Sequence, residues 1–561
     1  MFSAAEQPPP IIFNAKAAKN RENFAKHNAD REITEDGARL KIAKGHIIEA
    51  KGYEALQFFS THHDYRRGKI RESFVPKFPS GDELFQNACL KPGPKFEQVM
   101  YSDLAIECRD PEGNLIFPEQ IDNFETLNID QQIKTNLQRM GIERPLPIQC
   151  FMIPFLLNNR QTDILAAAPT GCGKTLAVLL PLIQHCIKYK KREKRKGRTR
   201  PLNSPFAIIV GATRDLVHQL MLDALRIAND TDVDVKCAYG EYDRITNGND
   251  IRQGCDLLIA TVGRFVDLVD KDDVLVGEAR FLAVDEADKL VTDEIFQDLM
   301  IVLRNRVRSN ITHALFSATF SKAVRMVLPS LMRYNFVQMF MHTRGLNPFV
   351  KQEFFNIFHH FRRDHLLELL MKDAEVIPPE ELLYDVTGFQ NTTQYRVPKT
   401  IVYGESRRVL DYLAIFLSMN GIRSISMHGG RSQKQRNDAY NKFSSGEYQV
   451  LVASNVASRG LNFPDVYQVI NYDPPYDFET YVHRLGRAGR LGSVAKNYTY
   501  FNEEDVQHMQ LASNIVEEMN KLGQEIPPFL RRMAGQIQFG KSDATWEDLA
   551  VAFENGGMRF G

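Results

Sequence analysis

Apolar residues along this chain gather in short, nearly unbroken runs, set between longer stretches in which they recur every three or four positions. The runs at 164–167, 206–210, 256–260, 281–284 and 313–316 show almost no polar alternation. That pattern predicts strands buried on both faces, and therefore a parallel sheet covered by helices on either side. A second series at 400–403, 424–427, 449–453, 466–470 and 498–501 predicts a second α/β domain of the same architecture. Gly345 and Pro348 punctuate 343–350, which reads as the linker. Residues 1–95 mix charges and aromatics without a strand–helix rhythm; 39–59 could form one amphipathic helix, and the extension is expected to be partly disordered. The expected division is an extension at 1–95, domains at 96–342 and 351–520 around the linker, and a tail at 521–561. The sequence shows no short-period repeat.

Two stretches depart from this rhythm. Residues 188–200 hold nine lysines and arginines against one acid, Glu193, which predicts a solvated loop or helix extension; RNA contact or a nuclear import signal are the other readings. Residues 376–398, with Pro378, Pro379, Gly388 and Pro398, read as a long loop in the second domain.

Length and charge narrow the possibilities. At 561 residues the chain exceeds one core and fits two domains with extensions. Lys plus Arg (70) balances Asp plus Glu (70), so any polyanion must be held by local grooves. None of the seven cysteines forms a C-x-x-C pair, which argues against a zinc site or disulfide framework and for a reducing compartment. The expected location is cytoplasmic or nuclear. No apolar run approaches the ~18 residues of a membrane span, and the polar, proline-bearing start does not read as a signal peptide.

The chemistry begins where the run 164–167 meets Ala168-Pro169-Thr170-Gly171-Cys172-Gly173-Lys174-Thr175 and an amphipathic helix. Glycines 171 and 173 let backbone N–H groups approach a polyphosphate, Lys174 offers a point charge to its outer phosphates, and the Thr175 hydroxyl can ligate magnesium. Alone this match is weak, since it starts with alanine. It gains weight from Asp285-Glu286-Ala287-Asp288, 110 residues further on at the end of another apolar run, where such an enzyme needs a second metal contact.

From about 96 to 535 the chain resembles the DEAD-box RNA helicases, in that family's motif order, with flanks similar to its Ded1/Vasa-like branch. The resemblance implies two tandem RecA-like domains, each a parallel sheet flanked by helices, with irregular terminal extensions. It implies an RNA-stimulated ATPase, with ATP and Mg2+ as cofactors, that closes its two domains on one RNA strand and so separates short duplexes. In Gly141-Ile142-Glu143-Arg144-Pro145-Leu146-Pro147-Ile148-Gln149 it implies an adenine contact by Gln149, with Phe124 beside the ring; a helix-capping glutamine is the alternative. Asp285 would hold magnesium and Glu286 would orient the attacking water. Arg487 and Arg490, in His483-Arg484-Leu485-Gly486-Arg487-Ala488-Gly489-Arg490, would reach the γ-phosphate on closure. Ser317 and Thr319, in Ser317-Ala318-Thr319, and His483 would couple the nucleotide site to RNA. Sequence-independent RNA contacts would come from Thr213, Arg214, Gly240, Thr261, Gly263, Arg264, Gln433, Arg436 and Ser454. A monomer is expected, because closure occurs within one chain.

Several positions depart from the family pattern. Ala212 and Val262 replace prolines, Leu146 a threonine, and Glu241 the second glycine of a pair begun by Gly240. Asn455 and Asn462 stand where acids are usual, and the resemblance implies an ATP ribose contact at Asn462. An ATP-gated RNA clamp with little turnover is therefore the competing reading, and a DNA helicase a third. Trp546, the single tryptophan, lies in the acidic Asp543-Ala544-Thr545-Trp546-Glu547-Asp548; it and the N-terminal extension are candidate anchors for protein partners.

Overall fold

All ten apolar runs overlap strands, because uninterrupted branched and aliphatic side chains can be buried on both faces of a parallel sheet. The computed structural model describes residues 73–86, 93–96 and 106–541, apart from 169–170, 199, 292–294, 308–310, 318–323, 325, 327, 329–330, 342–345, 379–392, 456–460, 462, 464 and 490–492. The expected helix at 39–59 and the Trp546 segment lie outside the described residues.

In chain order the first half contains β1 (Ile106–Arg109), β2 (Leu115–Ile116), α1 (Gln131–Arg139), α2 (Pro147–Asn158), β3 (Ile164–Ala167), α3 (Lys174–Arg195), β4 (Ala207–Gly211), α4 (Arg214–Ala228), β5 (Val235–Ala238) and α5 (Arg244–Arg252). There follow β6 (Leu257–Thr261), α6 (Val262–Asp270), β7 (Phe281–Asp285), α7 (Ala287–Leu290), α8 (Ile295–Arg306), β8 (Thr312–Ser317) and β9 (Val337–Met341). Among the described residues these strands form one sheet in the order β2-β1-β9-β3-β8-β7-β4-β6-β5. From β9 to β5 every pairing is parallel; toward the other edge β1 pairs antiparallel with β9, and β2 antiparallel with β1. Strand alternation divides the core into two layers. Ile164, Ile209, Ile259 and Ala283 face the layer with α2, α3 and α4. Leu165, Ile208, Leu258 and Leu282 face the layer with α6 and α8.

The second half contains β10 (Val350–Asn356), α9 (His359–Met371), β11 (Glu375–Val376), β12 (Tyr395–Arg396), β13 (Thr400–Tyr403), α10 (Arg407–Met419), β14 (Ser424–Met427), α11 (Gln433–Ser445) and β15 (Val450–Ala453). It ends with β16 (Gln468–Asn471), α12 (Phe478–Leu485), β17 (Ala495–Phe501), α13 (Met509–Leu522) and α14 (Pro528–Lys541). Its main sheet, in the order β10-β17-β16-β13-β15-β14, is parallel throughout.

Three placements differ from the sequence reading. Strand β10 starts at Val350, inside the stretch read as linker, and Leu346 is already buried against Phe354 and Tyr481. The tail from 521 begins as part of the fold: Ile526, Leu530 and Met533 pack on α13. The short antiparallel pair β11–β12 closes the base of the 376–398 stretch. The basic run at 188–200 continues α3 to Arg195, and part of it is paired within the domain: Lys190 and Arg200 with Asp256, and Lys191 with Asp130. Among the described residues no helix is long and apolar enough to cross a membrane.

Candidate nucleotide and nucleic-acid site

Parallel strands that end at one edge bring distant loops together there. Ala167 is level with Ser317 across β3 and β8, and Gly211 with Asp285 across β4 and β7. The loop after β3 therefore lies beside the carboxylates after β7. The Ala168 N–H donates to the Ser317 carbonyl at 3.1 Å. Lys174 opens α3 and donates from Nζ to the carbonyls of Ala168 at 2.5 Å and Ser317 at 3.3 Å. Lys174, Thr175 and Asp285 border one void of about 10 Å³ whose other walls are Val178, Leu179, Ile209, Leu220 and Phe316. Gly171 and Gly173 have φ of 81° and 94°, in the left-handed region where glycine is at ease. A Cβ at Gly173 would come within 2.4 Å of Gln149 Nε2, so this turn admits only glycine. Pro169 and Thr170 lie outside the described residues.

Gln149 ties this loop to the helix before it. Its side-chain oxygen accepts the Leu146 N–H at 2.8 Å, capping α2, and its Nε2 donates to the Gly173 carbonyl at 3.0 Å. Each end of the amide keeps one further hydrogen-bonding position. Phe124 is buried in the same core layer. Burial raises the Asp285 carboxyl above the usual carboxylate range, and Lys174 partly offsets this. Thr175 and Asp285 are hard oxygen donors of the type that holds Mg2+, and a cation there would relieve the buried charge of Asp285. Glu286 follows with φ of 54°, a strained setting for a non-glycine residue; its N–H bonds Asp285 Oδ1 at 2.9 Å. Cys172 is half-buried, and burial pushes its thiol up.

The second domain meets this edge. Asp288, Glu479 and His483 have ligand atoms within 4.8 Å of one another, which sets α12 against the segment after β7. Arg487, beyond α12, is buried and donates within its own domain to the carbonyls of Leu461 and His483. Arg490, Asn462 and Thr319 lie outside the described residues. Arg484 is fully buried and donates to Asn455, Asn471, Glu405 and the Asp473 carbonyl. Asn455, though it lacks an acid's charge, still accepts two of these bonds.

The residues expected to grip RNA fall into two groups, those held within their own domain and those that cross to the other. Thr213 caps α4 by accepting the Leu216 N–H, and Thr261 occupies the N-cap of α6. Gly263 lies in the first turn of α6; Arg264 donates to the Tyr242 carbonyl and Asn247, and burial lowers its pKa. Ser454 follows β15, its N–H bonded to the Met427 carbonyl. Gln433 and Arg436 are placed otherwise. Both are buried and cross to the first domain: Gln433 Nε2 donates to Asp215 at 2.8 Å, and Arg436 pairs with the same carboxylate at 3.3 Å. Tyr440 donates to Gln219 nearby. Asp215 and Glu241, which complete this interface, are residues whose part in it no local pattern reveals.

Comparison with known proteins agrees with this architecture. Residues 146–327 match the DEAD/DEAH box helicase family, and residues 380–492 match the helicase conserved C-terminal domain. The chain is 31% identical over 485 residues to the ATP-dependent RNA helicase vasa of Drosophila melanogaster, covering 86% of this chain and 67% of that protein. It is 28% identical over 466 residues to the ATP-dependent RNA helicase DDX4 of Mus musculus, covering 82% of this chain and 61% of that protein. The chain thus spans about two thirds or less of the length of these relatives. Among solved structures, the DEAD-box helicase Mss116 bound to ssRNA and UDP-BeF superposes with a TM-score of 0.60 at 22% identity, over 74% of this chain and 82% of that one. That likeness concerns the fold.

Proposed function

Because this chain belongs to the DEAD-box helicase family, we propose that it is an ATP-dependent RNA helicase, hydrolysing ATP to ADP and phosphate as its two domains close on RNA. The observation that carries this reading is the gathering of Lys174, Thr175 and Asp285 at one strand edge, where Lys174 reaches the Ala168 and Ser317 carbonyls, with α12 of the second domain set against Asp288. The proposed units are a nucleotide-binding domain at 96–342 and a second RecA-like domain at 351–520, extended at its ends by Val350 of β10 and by α14.

The loop 168–175 would cradle the phosphates through its backbone, and Lys174 would leave its carbonyl partners for the β- and γ-phosphates. Thr175 and Asp285 would hold Mg2+, which when bound supplies charge neutralisation. Gln149 would read the adenine edge with its remaining donor and acceptor, and Phe124 would support the wall beside it. Glu286 would orient a water for in-line attack on the γ-phosphorus. The bond to the bridging oxygen breaks as the new P–O bond forms, and ADP departs. Arg487 would turn from the Leu461 carbonyl toward the transferring phosphoryl group, beside Arg490; Asn462 would contact the ribose. Hydrolysis would then depend on domain closure. Ser317, Thr319 and His483 would link this site to RNA. Contacts to RNA from Thr213, Arg214, Gly240, Thr261, Gly263, Arg264 and Ser454 would be to phosphate and 2′-hydroxyl groups, and so independent of sequence. Gln433 and Arg436 would serve RNA binding through closure.

The test is strand displacement from a short RNA duplex, beside a DNA duplex of the same sequence. ATP-dependent displacement of RNA alone is expected. Displacement of DNA equal to or better than RNA would refute the assignment.

A further inference from the structure

Glu241 occupies an expensive backbone position. Its φ of 73° lies in the left-handed region, which disfavours any residue with a Cβ, yet the residue there is a long acid. Its side chain is only 6% exposed, and both oxygens are engaged. Oε1 accepts from Arg214 Nη1 at 2.5 Å, within the first domain. Oε2 accepts the backbone N–H of Gln433 at 2.7 Å, in the second domain. Gln433 is the first residue of the thirteen-residue helix α11, so this carboxylate meets the positive end of a helix dipole.

The loop that carries Glu241 is fixed from two sides. Phe74 bonds the Glu241 carbonyl at 2.9 Å and accepts the Asp243 N–H at 2.8 Å, while Phe78 stacks on His218 of α4 at 4.9 Å. Gly240 lets Arg214 lie across the backbone: a Cβ there would come within 2.7 Å of Arg214 Nη2. An arginine fork and a helix N-terminus together form a constellation that ordinarily holds a phosphate.

We propose that Glu241 is an internal stand-in for an RNA phosphate: it braces the two domains together without RNA and competes with RNA for Arg214 and the start of α11. This rests on the helicase reading above. It makes Glu241 the residue that sets how far closure depends on RNA. A fraction of the molecules then closes on ATP alone, and RNA must displace a carboxylate to gain these donors.

The test uses the full chain and its Glu241→Gly and Glu241→Gln variants. Glycine suits φ of 73°, so the first variant removes the carboxylate without straining the fold, and thermal melting checks this. One dye in each domain reports closure with a non-hydrolysable ATP analogue and no RNA. Fluorescent oligouridylate titrations at several salt concentrations report RNA affinity. In Glu241→Gly the RNA-free closed-to-open ratio should fall about tenfold, RNA should bind about tenfold more tightly, and the salt slope should steepen by about one. Glu241→Gln, which keeps an acceptor and loses the charge, should fall between. Equal RNA-free closure and equal RNA affinity in wild type and Glu241→Gly would overturn the proposal. The two readings separate cleanly. If no protein hydrolyses ATP, yet Glu241→Gly still opens the RNA-free state, the brace stands and the helicase reading fails. If hydrolysis requires RNA alike in wild type and Glu241→Gly, with unchanged RNA-free closure, the helicase reading stands and the brace fails.

Discussion

Replacing Asp215 with asparagine isolates the cost of closing the two domains. Asp215 lies in the first turn of α4 and is 3% exposed; across the interface it accepts from Gln433 and forms an ion pair with Arg436, without a hydrogen bond to that guanidinium. Asparagine keeps the shape and can still accept from Gln433, but it removes the charge that faces Arg436. In the open form Arg436 regains water, so only the closed form carries a buried guanidinium facing a neutral partner. Removing one charge of a buried ion pair costs about 3–5 kcal/mol, and keeping the isosteric amide, which still accepts from Gln433, places this change at the lower end, about 3 kcal/mol. At 1.4 kcal/mol per decade, that moves the closed-to-open ratio about 100-fold toward open. Dyes on the two domains, read with an ATP analogue and saturating RNA, give that ratio directly. The RNA concentration for half-maximal ATPase should rise by a similar factor, while the melting of each domain changes little. A double-mutant cycle with Arg436→Gln should recover most of the loss as coupling between the pair. Closure and half-maximal RNA concentration within threefold of wild type would refute the reasoning.

Other perturbations follow from the same contacts. Burial holds His185 and His218 at about 4, against an ordinary value of 6.5, so the folded state keeps both neutral. Their stabilisation is complete above about pH 6.5 and is lost as pH falls toward 4, up to about 3 kcal/mol each; His185→Gln should flatten the urea midpoint between pH 7 and 5. Asp411 is pushed up by burial, but Arg431 and hydrogen bonds from His428 and Ser426 outweigh this and hold it at about 2. Its contribution, about 2 kcal/mol, is present above about pH 4 and disappears as pH falls toward 2. Asp411→Asn at neutral pH leaves Arg431 in a buried site without that charge and should cost about 3–5 kcal/mol in chemical denaturation. Gln149→Ala removes the bridge between α2 and the Gly173 carbonyl and should raise KM for ATP at least tenfold while narrowing the preference for ATP over GTP.

The central strands were legible because they are short apolar runs with no competing pattern. The edges were not. β5 carries Lys236, β9 carries Gln338, and β10 carries Lys351, Gln352 and Glu353 within seven residues, so their strand character depends on neighbours distant in sequence. The nucleotide loop and the Asp285–Glu286 pair were legible for the opposite reason: each is a contiguous stretch whose chemistry is local. The family resemblance implies RNA contacts at Gln433 and Arg436, and nothing in their own stretch shows that they also face a carboxylate of the first domain. Their carboxylate lies more than 200 residues away, at Asp215. Glu241 could be noticed in the sequence only as a departure at a glycine position; its partners at 214 and 433 emerge when both domains are assembled.

The most direct test of the central claim is phosphate release from ATP by the purified full chain, with and without single-stranded RNA, beside Glu286→Gln. The account predicts turnover that RNA raises and that the variant loses by at least about 100-fold. Tight ATP-dependent RNA binding with no turnover in either protein would contradict it, and would make the chain an RNA clamp rather than a helicase.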